Sequence, residues 1–237
     1  MSQQVLVAGG TSGIGLATAA AFAARGAAVT VTGRDRAKID KAGFPGVVAD
    51  AATEEGVRAT FAGGATYDHL VIALSGGLGA GPLAGLDLGQ LRAAFEAKFW
   101  PHVRLLQAAL PYLAPDASVT LVTASSARAA LPGTSGLAAL NGALEAMVGP
   151  LAAELAPRRV NAVSPGVIDT PWWDGFAEQD RRALFSAYGD ALPAGRVGRP
   201  EEVADAIVAL ATNGYITGTV LTVGGGVHLA VGPRVGG

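Results

Sequence analysis

The amino-acid sequence predicts a single α/β domain, built on a doubly wound, seven-stranded parallel sheet with helices on both faces. Short apolar segments alternate with helical segments along the whole chain, which is typical of strands joined by crossover helices. A glycine-rich turn directly follows the first apolar segment. Half of the 237 residues are hydrophobic and only 15% are charged, so most helices are expected to be well covered.

Seven short segments have the apolar and β-branched composition of buried strands. The second of them, with the sequence VTVT, is the clearest because every residue is β-branched. The predicted strands are residues 5–8, 29–32, 47–49, 69–74, 118–123, 159–163 and 219–223.

Capping signals predict the helices between these strands. Gly26 is expected to end the first helix, and Thr53 to cap a helix with Glu54 and Glu55 in its first turn. Asp87 is expected to open one long helix that continues to Tyr112. A second long helix is predicted over about residues 136–156, and the last helix begins at residue 201.

One segment interrupts the alternation of strands and helices. Residues 171–195 carry several aromatic side chains and follow the sixth strand. We expect this segment to act as a substrate lid within one domain that spans residues 1–237.

The turn after the first strand has the sequence AGGTSGIG, residues 8–15. Its glycines permit a tight turn and let the backbone approach a ligand closely. The helix that follows presents free N–H groups and the positive end of its dipole, which together bind phosphate. A glycine turn can also join a strand to a helix without any ligand. Here a strand precedes the turn and a helix follows it, which favours a dinucleotide site.

The spacing of Gly9, Gly13 and Gly15 resembles the T-G-x-x-x-G-x-G motif of the short-chain dehydrogenase/reductase family, with Ala8 in place of the Thr. The segment VSPGVIDTP, residues 163–171, resembles the Pro-Gly motif of that family. Residues 195–204 resemble the start of its last helix, so the resemblance covers nearly the whole chain. It implies a Rossmann fold and an NAD(P)-dependent oxidoreductase.

The resemblance also implies a set of cofactor-binding residues. Asp50 takes the position that binds adenine, and Ile168 and Thr170 take the positions that hold the nicotinamide carboxamide. Thr170 is also suited to capping a helix that begins at Pro171. The expected cofactor-binding residues are Gly9, Thr11, Ser12, Gly13, Ile14, Gly15, Arg34, Asp50, Ala51, Ser75, Gly76, Pro165, Gly166, Ile168 and Thr170.

The end of the second strand distinguishes NADP from NAD. An acidic side chain there would bind the ribose hydroxyls of NAD and repel a 2′-phosphate. The expected position falls at Gly33 and Arg34, where no acid occurs. Arg34 can pair with a phosphate, with help from Ser12 and Arg36. Asp35 would partly offset that charge, and Arg34 is alternatively a solvated turn residue. The sequence therefore favours NADP, with NAD possible.

The expected catalytic residues depart from the family pattern. Carbonyl reductases of the family use a Tyr as general acid, a Lys four residues later, a Ser, and an Asn on the preceding long helix. Here Leu137 takes the Tyr position and Asn141 the Lys position. Ser126 or its neighbour Ser125 matches the Ser, and Lys98 takes the Asn position. The resemblance thus implies that the usual Tyr-x-x-x-Lys pair is missing.

Leucine cannot donate a proton, so another group must do so if the protein is a reductase. Lys98 is the first candidate because it is expected to point towards the nicotinamide, although most lysines lie on the surface. His102, one turn later, is interpreted as a core histidine. The predicted catalytic residues are Ser126, Lys98, Asn141 and Ser125. The expected substrate-pocket residues are Leu137, Trp172, Trp173 and Tyr188, of which Tyr188 is a second candidate acid and the tryptophans alternatively serve packing.

Three functions remain open from the sequence. The first is an NADP-dependent oxidoreductase that acts on a small hydrophobic carbonyl, alcohol or imine with an altered proton donor. The second is an enzyme that uses the fold for dehydration, isomerisation or cyclisation. The third is a non-catalytic dinucleotide-binding sensor or scaffold.

Composition excludes several other classes of protein. There is no cysteine, so disulfides and thiolate metal sites are excluded, and the three histidines show no metal-ligand spacing. A net charge of −2 without a basic cluster argues against nucleic acid as a partner. We find no signal peptide and no uninterrupted apolar run that would span a bilayer, so we expect a cytoplasmic protein with no membrane partner.

The resemblance further implies a homodimer or homotetramer, formed through the two long helices. Gly142, Ala143, Ala146 and Gly149 would keep the second helix slim enough for close packing, although Leu144 is bulkier.

Overall fold

The structure is a computed structural model that describes residues 2–229. Seven strands form one sheet in the order β3-β2-β1-β4-β5-β6-β7, and every neighbouring pair is parallel. The strands are β1 (Gln4–Ala8), β2 (Ala28–Gly33), β3 (Gly46–Val48), β4 (Tyr67–Ile72), β5 (Leu113–Val122), β6 (Arg159–Pro165) and β7 (Val220–Val223). The predicted doubly wound sheet is therefore confirmed. Its strand order reverses between β1 and β4, which opens a crevice at the carboxyl edge where such folds bind ligands.

The helices connect successive strands. They are α1 (Gly13–Ala23), α2 (Arg36–Ala42), α3 (Glu54–Phe61), α4 (Leu88–Ala94), α5 (Trp100–Ala109), α6 (Ser135–Glu154), α7 (Glu178–Ala191) and α8 (Pro200–Thr212). Short 3₁₀ turns occur at Leu83–Gly85, Leu110–Tyr112, Ser125–Ala127 and Pro171–Trp173. Two of the expected caps are present, since the Thr53 hydroxyl accepts from the N–H of Gly56 and the Asp87 carboxylate from that of Gly89. Helix α1 ends slightly earlier than expected, with Ala24 rather than Gly26 as its C-cap.

Alternate residues of the central strands supply two apolar layers. In β1, Leu6 belongs to a core that includes side chains of α3, α5 and α6. Its neighbours Val5 and Val7 belong to the opposite core, which includes side chains of α1 and α8. The predicted covering of both faces is therefore present, and it holds the carboxyl ends of the strands in fixed positions.

The long helix predicted over residues 87–112 is present as one continuous helical segment that Asp87 caps, but it is not α-helical throughout. A π-helical turn, Phe95–Phe99, separates α4 from α5. Pro101 explains the interruption because it has no N–H and its ring would collide with the carbonyl four residues earlier in an α-helix. In the π turn the N–H of Trp100 instead donates to the carbonyl of Phe95, five residues earlier. Lys98 lies within this turn.

Helix α6 meets the length and composition criteria for crossing a membrane. In the protein it covers the sheet, and Leu140, Leu144 and Val148 are buried. Leu144, the bulkier residue noted in the sequence, thus lies in the core and does not widen the open side of the helix. Gly142 and Gly149 lie on the open side, where an added β-carbon would meet no neighbouring atom of the described chain within 4 Å.

Candidate active site

The glycine turn lies at the carboxyl end of β1, and its glycines are required by the local geometry. Gly9 has a φ of +79° and Gly13 a φ of +50°. A β-carbon on Gly9 would lie 2.6 Å from the carbonyl oxygen of Ala73, and one on Gly15 would lie 2.1 Å from that of Gly9. Ser12 is the N-cap of α1 but makes no side-chain capping bond. The N-terminus of α1 is thus shaped and free to receive a pyrophosphate.

The end of β6 approaches the same turn. The side chain of Thr170 lies 3.3 Å from the place where a β-carbon on Gly13 would be. Thr170 precedes the 3₁₀ turn Pro171–Trp173 as its N-cap, without a side-chain capping bond. The carbonyl of Ile168 accepts a 2.9 Å hydrogen bond from the indole Nε1 of Trp173. Pro165 and Gly166 lie at the same edge. The backbone of Gly224 packs closely against Gly166, since a β-carbon on Gly166 would lie 2.6 Å from Gly224 Cα.

The charged residues after β2 have separate roles. The carboxylate of Asp35 caps α2 by accepting from the N–H groups of Ala37 and Lys38. Arg36 forms an ion pair of 3.1 Å with Asp40. Arg34 is exposed and takes part in no ion pair among residues 2–229. Arg34 is therefore the guanidinium at this strand end that is left for an anionic ligand, whereas Arg36 is already paired.

The remaining predicted cofactor residues follow β3 and β4. Asp50 accepts a 3.0 Å bond from the N–H of Ala52 through Oδ1, and Ala51 lies between these two residues. Ser75 is exposed in the turn after β4. A β-carbon on the adjacent Gly76 would lie 3.6 Å from Cβ of Lys98. The strand end expected beside the adenosine is therefore in contact with the predicted proton donor.

Lys98 is only 6% exposed, so the interpretation as a surface lysine is wrong. Its Nζ donates to Oδ1 of Asn141 at 2.8 Å and to the carbonyl of Thr123 at 3.1 Å. The Nδ2 group of Asn141 in turn donates to Oγ of Ser126 at 3.1 Å and to the carbonyl of Leu137. The fold therefore joins three of the predicted catalytic residues in one hydrogen-bonded chain.

The fourth predicted catalytic residue, Ser125, lies outside this chain. Its side chain is buried, and its carbonyl accepts from the N–H of Arg128 and Ala129 in the loop after β5. Ser126 is the serine whose hydroxyl contacts Asn141. In the described structure, Ser126 therefore matches the serine of the family better than Ser125 does.

Burial lowers the pKa of the Lys98 ammonium from 10.5 to about 8, and the nearby Glu145 carboxylate opposes this shift. An ammonium has three N–H donors, and two of them have the partners given above. The third donor has no hydrogen-bond partner within residues 2–229. A group with a pKa near 8 exchanges protons readily at physiological pH, which suits general acid–base chemistry.

His102 lies one turn beyond Lys98 and is 1% exposed. Its Nδ1 forms a 2.7 Å hydrogen bond with the carbonyl of Lys98. Because a carbonyl can only accept, Nδ1 must carry the proton. Burial lowers the pKa of His102 to about 3, and the positive charge of Lys98 contributes to the shift. His102 is therefore neutral and orients the backbone of Lys98.

Glu145 is a site residue that the sequence reasoning missed. It lies on α6 one turn after Asn141, and its side chain is 7% exposed. Its carboxylate accepts from the hydroxyls of Thr123 and Ser164 and pairs with Arg128 at 2.7 Å. The signal for it was available, because Glu145 lies four residues after Asn141 in a helix composed mostly of Ala, Gly and Leu.

The structure places three of the expected substrate-pocket residues near the loop after β4 or in the aromatic part of the lid, and the fourth, Tyr188, elsewhere. Leu137 approaches the turn after β4, because a β-carbon on Gly79 would lie 3.9 Å from its Cδ2. Trp172 is 47% exposed, and its ring lies 3.8 Å from the place of a β-carbon on Gly77. Trp173 packs against Trp172 and two phenylalanines of the lid. Tyr188 instead packs against a separate apolar cluster of Ala129, Leu192 and Val227.

Comparison with known proteins agrees with this fold and with its glycine turn. A family model described as Enoyl-(Acyl carrier protein) reductase matches residues 8–228. Subunit BbsD of (2S)-[(R)-hydroxy(phenyl)methyl]succinyl-CoA dehydrogenase from Thauera aromatica is 33% identical, with 96% of this chain and 97% of the relative covered. A small-chain dehydrogenase solved in complex with NADPH is 33% identical with a TM-score of 0.87, covering 97% of this chain and 100% of that one.

A third similar protein has a title that names two activities. It is the MalC Reductase/Diels-Alderase from Malbranchea aurantiaca, whose structure is 27% identical with a TM-score of 0.87. The comparison covers 97% of this chain and 96% of that one. Together with the glycine turn and the sheet order, these matches show that the chain belongs to the short-chain dehydrogenase/reductase family and is an NAD(P)-dependent oxidoreductase of that family.

Proposed function

We propose that the protein is an NADP-dependent oxidoreductase in which Lys98, rather than a tyrosine, is the proton donor. Its substrate is a small hydrophobic ketone, aldehyde or imine, or the corresponding alcohol or amine in the reverse direction. The observation that carries the proposal is the buried Lys98 ammonium, fixed by Asn141 and Thr123 at the carboxyl edge of the sheet. This chain has Leu137 and Asn141 at the positions that we assign to the Tyr and Lys of the family.

The choice of NADP rests on Arg34. Arg34 is exposed and no acid occupies the end of β2. The preceding Gly33 packs against the glycine turn, since a β-carbon on it would lie 2.6 Å from Thr11 Cγ2. Asp35, the acid closest in sequence, already has its carboxylate engaged in capping α2. Arg34 would therefore pair with a 2′-phosphate at little cost. Thr170 and the N-terminus of α1 would hold the nicotinamide and pyrophosphate portions of the same cofactor.

NADPH, when bound at this edge, would provide the hydride for reduction of the carbonyl carbon. The protein must then place one proton on the carbonyl oxygen, and Ser126 and Lys98 are suited to do so. Because the Ser126 hydroxyl accepts from Asn141, its own O–H is free to donate to the carbonyl oxygen. The ammonium of Lys98 gives its third proton to that oxygen, directly or through a water held by Asn141 and Ser126. Solvent then reprotonates the neutral Lys98 amine.

The substrate class follows from the side chains near this donor. Leu137 offers an apolar surface where a tyrosine hydroxyl is usual in the family. Trp172 and Trp173 add aromatic surface at the start of the lid segment, residues 171–195, which we propose closes over the substrate within one domain. Such a lining favours an apolar substrate without a charge near the reacting carbonyl.

One observation favours a second candidate function. The structure titled as both a reductase and a Diels-Alderase covers nearly the whole chain, so this fold also accommodates a cyclisation. A dinucleotide-binding sensor would need no proton donor in place of the tyrosine, whereas dehydration and isomerisation also transfer protons. The buried and hydrogen-bonded Lys98 has no evident use in a sensor, which is why we favour the oxidoreductase.

The test is a screen for NADPH consumption by absorbance against ketones, aldehydes and imines, followed by the substitution Lys98→Met on each accepted substrate. We expect turnover to fall roughly a hundredfold or more, the scale of a lost general acid, with little change in NADPH affinity. Lys41→Met, at an exposed lysine of α2, is the control and should turn over like the parent. Unchanged turnover in Lys98→Met would reject Lys98 as the donor and make Tyr188 or a bound water the next candidate. Tight NADPH binding without turnover on a broad panel would favour the sensor.

A further inference from the structure

The carboxylate of Glu145 is almost completely removed from solvent, yet it keeps the hydrogen-bond partners of an ionised group. Oε1 accepts from Thr123 Oγ1 at 3.0 Å and from Ser164 Oγ at 2.7 Å, and Oε2 accepts from Arg128 Nε at 2.7 Å. A protonated carboxyl would lose acceptor capacity at this site. Two hydroxyls and the Arg128 guanidinium thus surround the carboxylate, and no part of the proposed hydride and proton transfers uses it.

One residue connects this anion to the proposed proton donor. The carbonyl of Thr123 accepts from Lys98 Nζ, whereas its single hydroxyl proton is shared between Glu145 Oε1 at 3.0 Å and the carbonyl of Val163 at 3.2 Å. Asn141, the other partner of Lys98, lies one turn before Glu145 on α6. The buried cation and the buried anion are thus fixed to the same two elements, the end of β5 and the first half of α6.

The other titratable and charged groups near Lys98 differ from Glu145 because they are exposed to solvent, neutral or already paired. The titratable and charged side chains on the helices packed against it, on its own turn and after β5 are Glu145 and Glu154 of α6, His102 and Arg104 of α5, Arg92 of α4, Glu96 of the π turn and Arg128. Glu154 is exposed, and the Arg104 guanidinium donates to the carbonyl of Ala52. Arg92 and Glu96 are exposed, so solvent screens their charges. His102 is neutral, and Arg128 is paired to Glu145 with 47% of its side chain exposed. Among the described residues, Glu145 is the buried charge whose sign favours the ammonium.

We propose that Glu145 is a positioning residue that keeps Lys98 protonated, so that Lys98 still carries a proton to donate at physiological pH. The inference rests on the proposed role of Lys98 as the proton donor. Burial alone disfavours the ammonium, and an opposite charge in the same low-dielectric region offsets part of that cost. Asn141 cannot provide this compensation because its amide is neutral.

The chain permits a direct measurement, because it contains only three lysines: Lys38, Lys41 and Lys98. Protein labelled with ¹³C at the lysine ε-carbon gives three signals, and Lys98→Met identifies the signal of Lys98. Lys38 and Lys41 are exposed on α2 and serve as internal references. Titrating this signal in the apo protein reports the protonation of Lys98 without any requirement for catalysis.

Four variants separate a charge effect from a loss of structure. In Glu145→Gln, which keeps the shape and removes the charge, we expect the Lys98 pKa to fall by about one unit, the scale of one nearby opposite charge. Glu145→Asp keeps the charge and should restore most of the shift. Arg128→Met also breaks the contact with Glu145 but removes a positive charge, so the Lys98 pKa should stay or rise. Glu154→Gln, at an exposed position on α6, is the matched control and should change nothing.

Two results would overturn the inference. The first is a Lys98 pKa that is the same in the parent and in Glu145→Gln. The second is an equal fall in Glu145→Gln and Arg128→Met, because disruption of the cluster rather than charge would then be responsible. If the pKa changes as expected but no substrate is ever turned over, the proposed oxidoreductase fails and the role of Glu145 stands. If turnover is found, its pH profile should shift with the NMR titration in each variant.

Discussion

The burial of Lys98 predicts a pH dependence of stability that the substitution Lys98→Met would remove. Burial lowers the pKa of Lys98 from 10.5 to about 8 in the folded protein. Between these two values the unfolded chain binds one more proton than the folded chain. The free energy of unfolding contributed by Lys98 therefore rises as the pH rises through this window and is lost as the pH falls towards 8.

The size of the effect follows from the two pKa values. Each pKa unit corresponds to about 1.4 kcal/mol, so the contribution of Lys98 changes by roughly 3 kcal/mol across the window. The absolute stability of Lys98→Met includes other terms, because the carbonyl of Thr123 and the amide of Asn141 lose their partner. Those terms do not depend on pH in this range. The difference in unfolding free energy between parent and variant is therefore the quantity to compare.

Urea unfolding followed by tryptophan fluorescence provides the assay, at a fixed protein concentration and at several values between pH 7 and about pH 10.5. We expect the parent to gain roughly 3 kcal/mol relative to Lys98→Met as the pH increases. Lys41→Met replaces an exposed lysine and should follow the parent at every pH. A constant difference between the parent and Lys98→Met would refute the reasoning, since Lys98 would then titrate equally in the folded and unfolded chains.

Two further predictions concern the cofactor and the assembly. NADP(H) should bind more tightly than NAD(H), and Arg34→Ala should weaken NADP(H) binding selectively, by roughly tenfold or more. Arg36→Ala should have less effect, because the guanidinium of Arg36 is paired with Asp40. Titration of both cofactors checks this, and equal affinities in the parent would count against it. The chain should form a dimer or tetramer through the open face of α6 that carries Gly142 and Gly149, and light scattering that shows only monomer at micromolar concentration would reject this.

Much of the fold was predictable because its signals are local. The β-branched strand segments, the alternation with helices and the caps at Thr53 and Asp87 depend on residues close in the chain. The glycine turn is also local, since the chain conformation at Gly9 and Gly13 requires glycine wherever the sheet is placed. The interruption before Pro101 had a local signal too, because proline cannot continue an α-helix without losing a hydrogen bond.

The catalytic arrangement depends on contacts between distant parts of the chain. Lys98 and Asn141 are 43 residues apart, and Thr123 is 25 residues from Lys98. A lysine, an asparagine and a threonine have no sequence pattern that indicates this spacing. The two long helical segments and the end of β5 meet only because the sheet order brings them to the same edge.

The sequence by itself determined that the chain forms a parallel α/β sheet with a dinucleotide turn and that the residues at the expected catalytic positions are unusual. Only the tertiary structure decided that Lys98 is buried, that Asn141 and Thr123 hold it, and that Glu145 lies in the same cluster. The physical reason is that strand and turn propensities act between neighbours in the chain. The protonation of a buried lysine depends instead on solvent exclusion and on charges that the fold brings together.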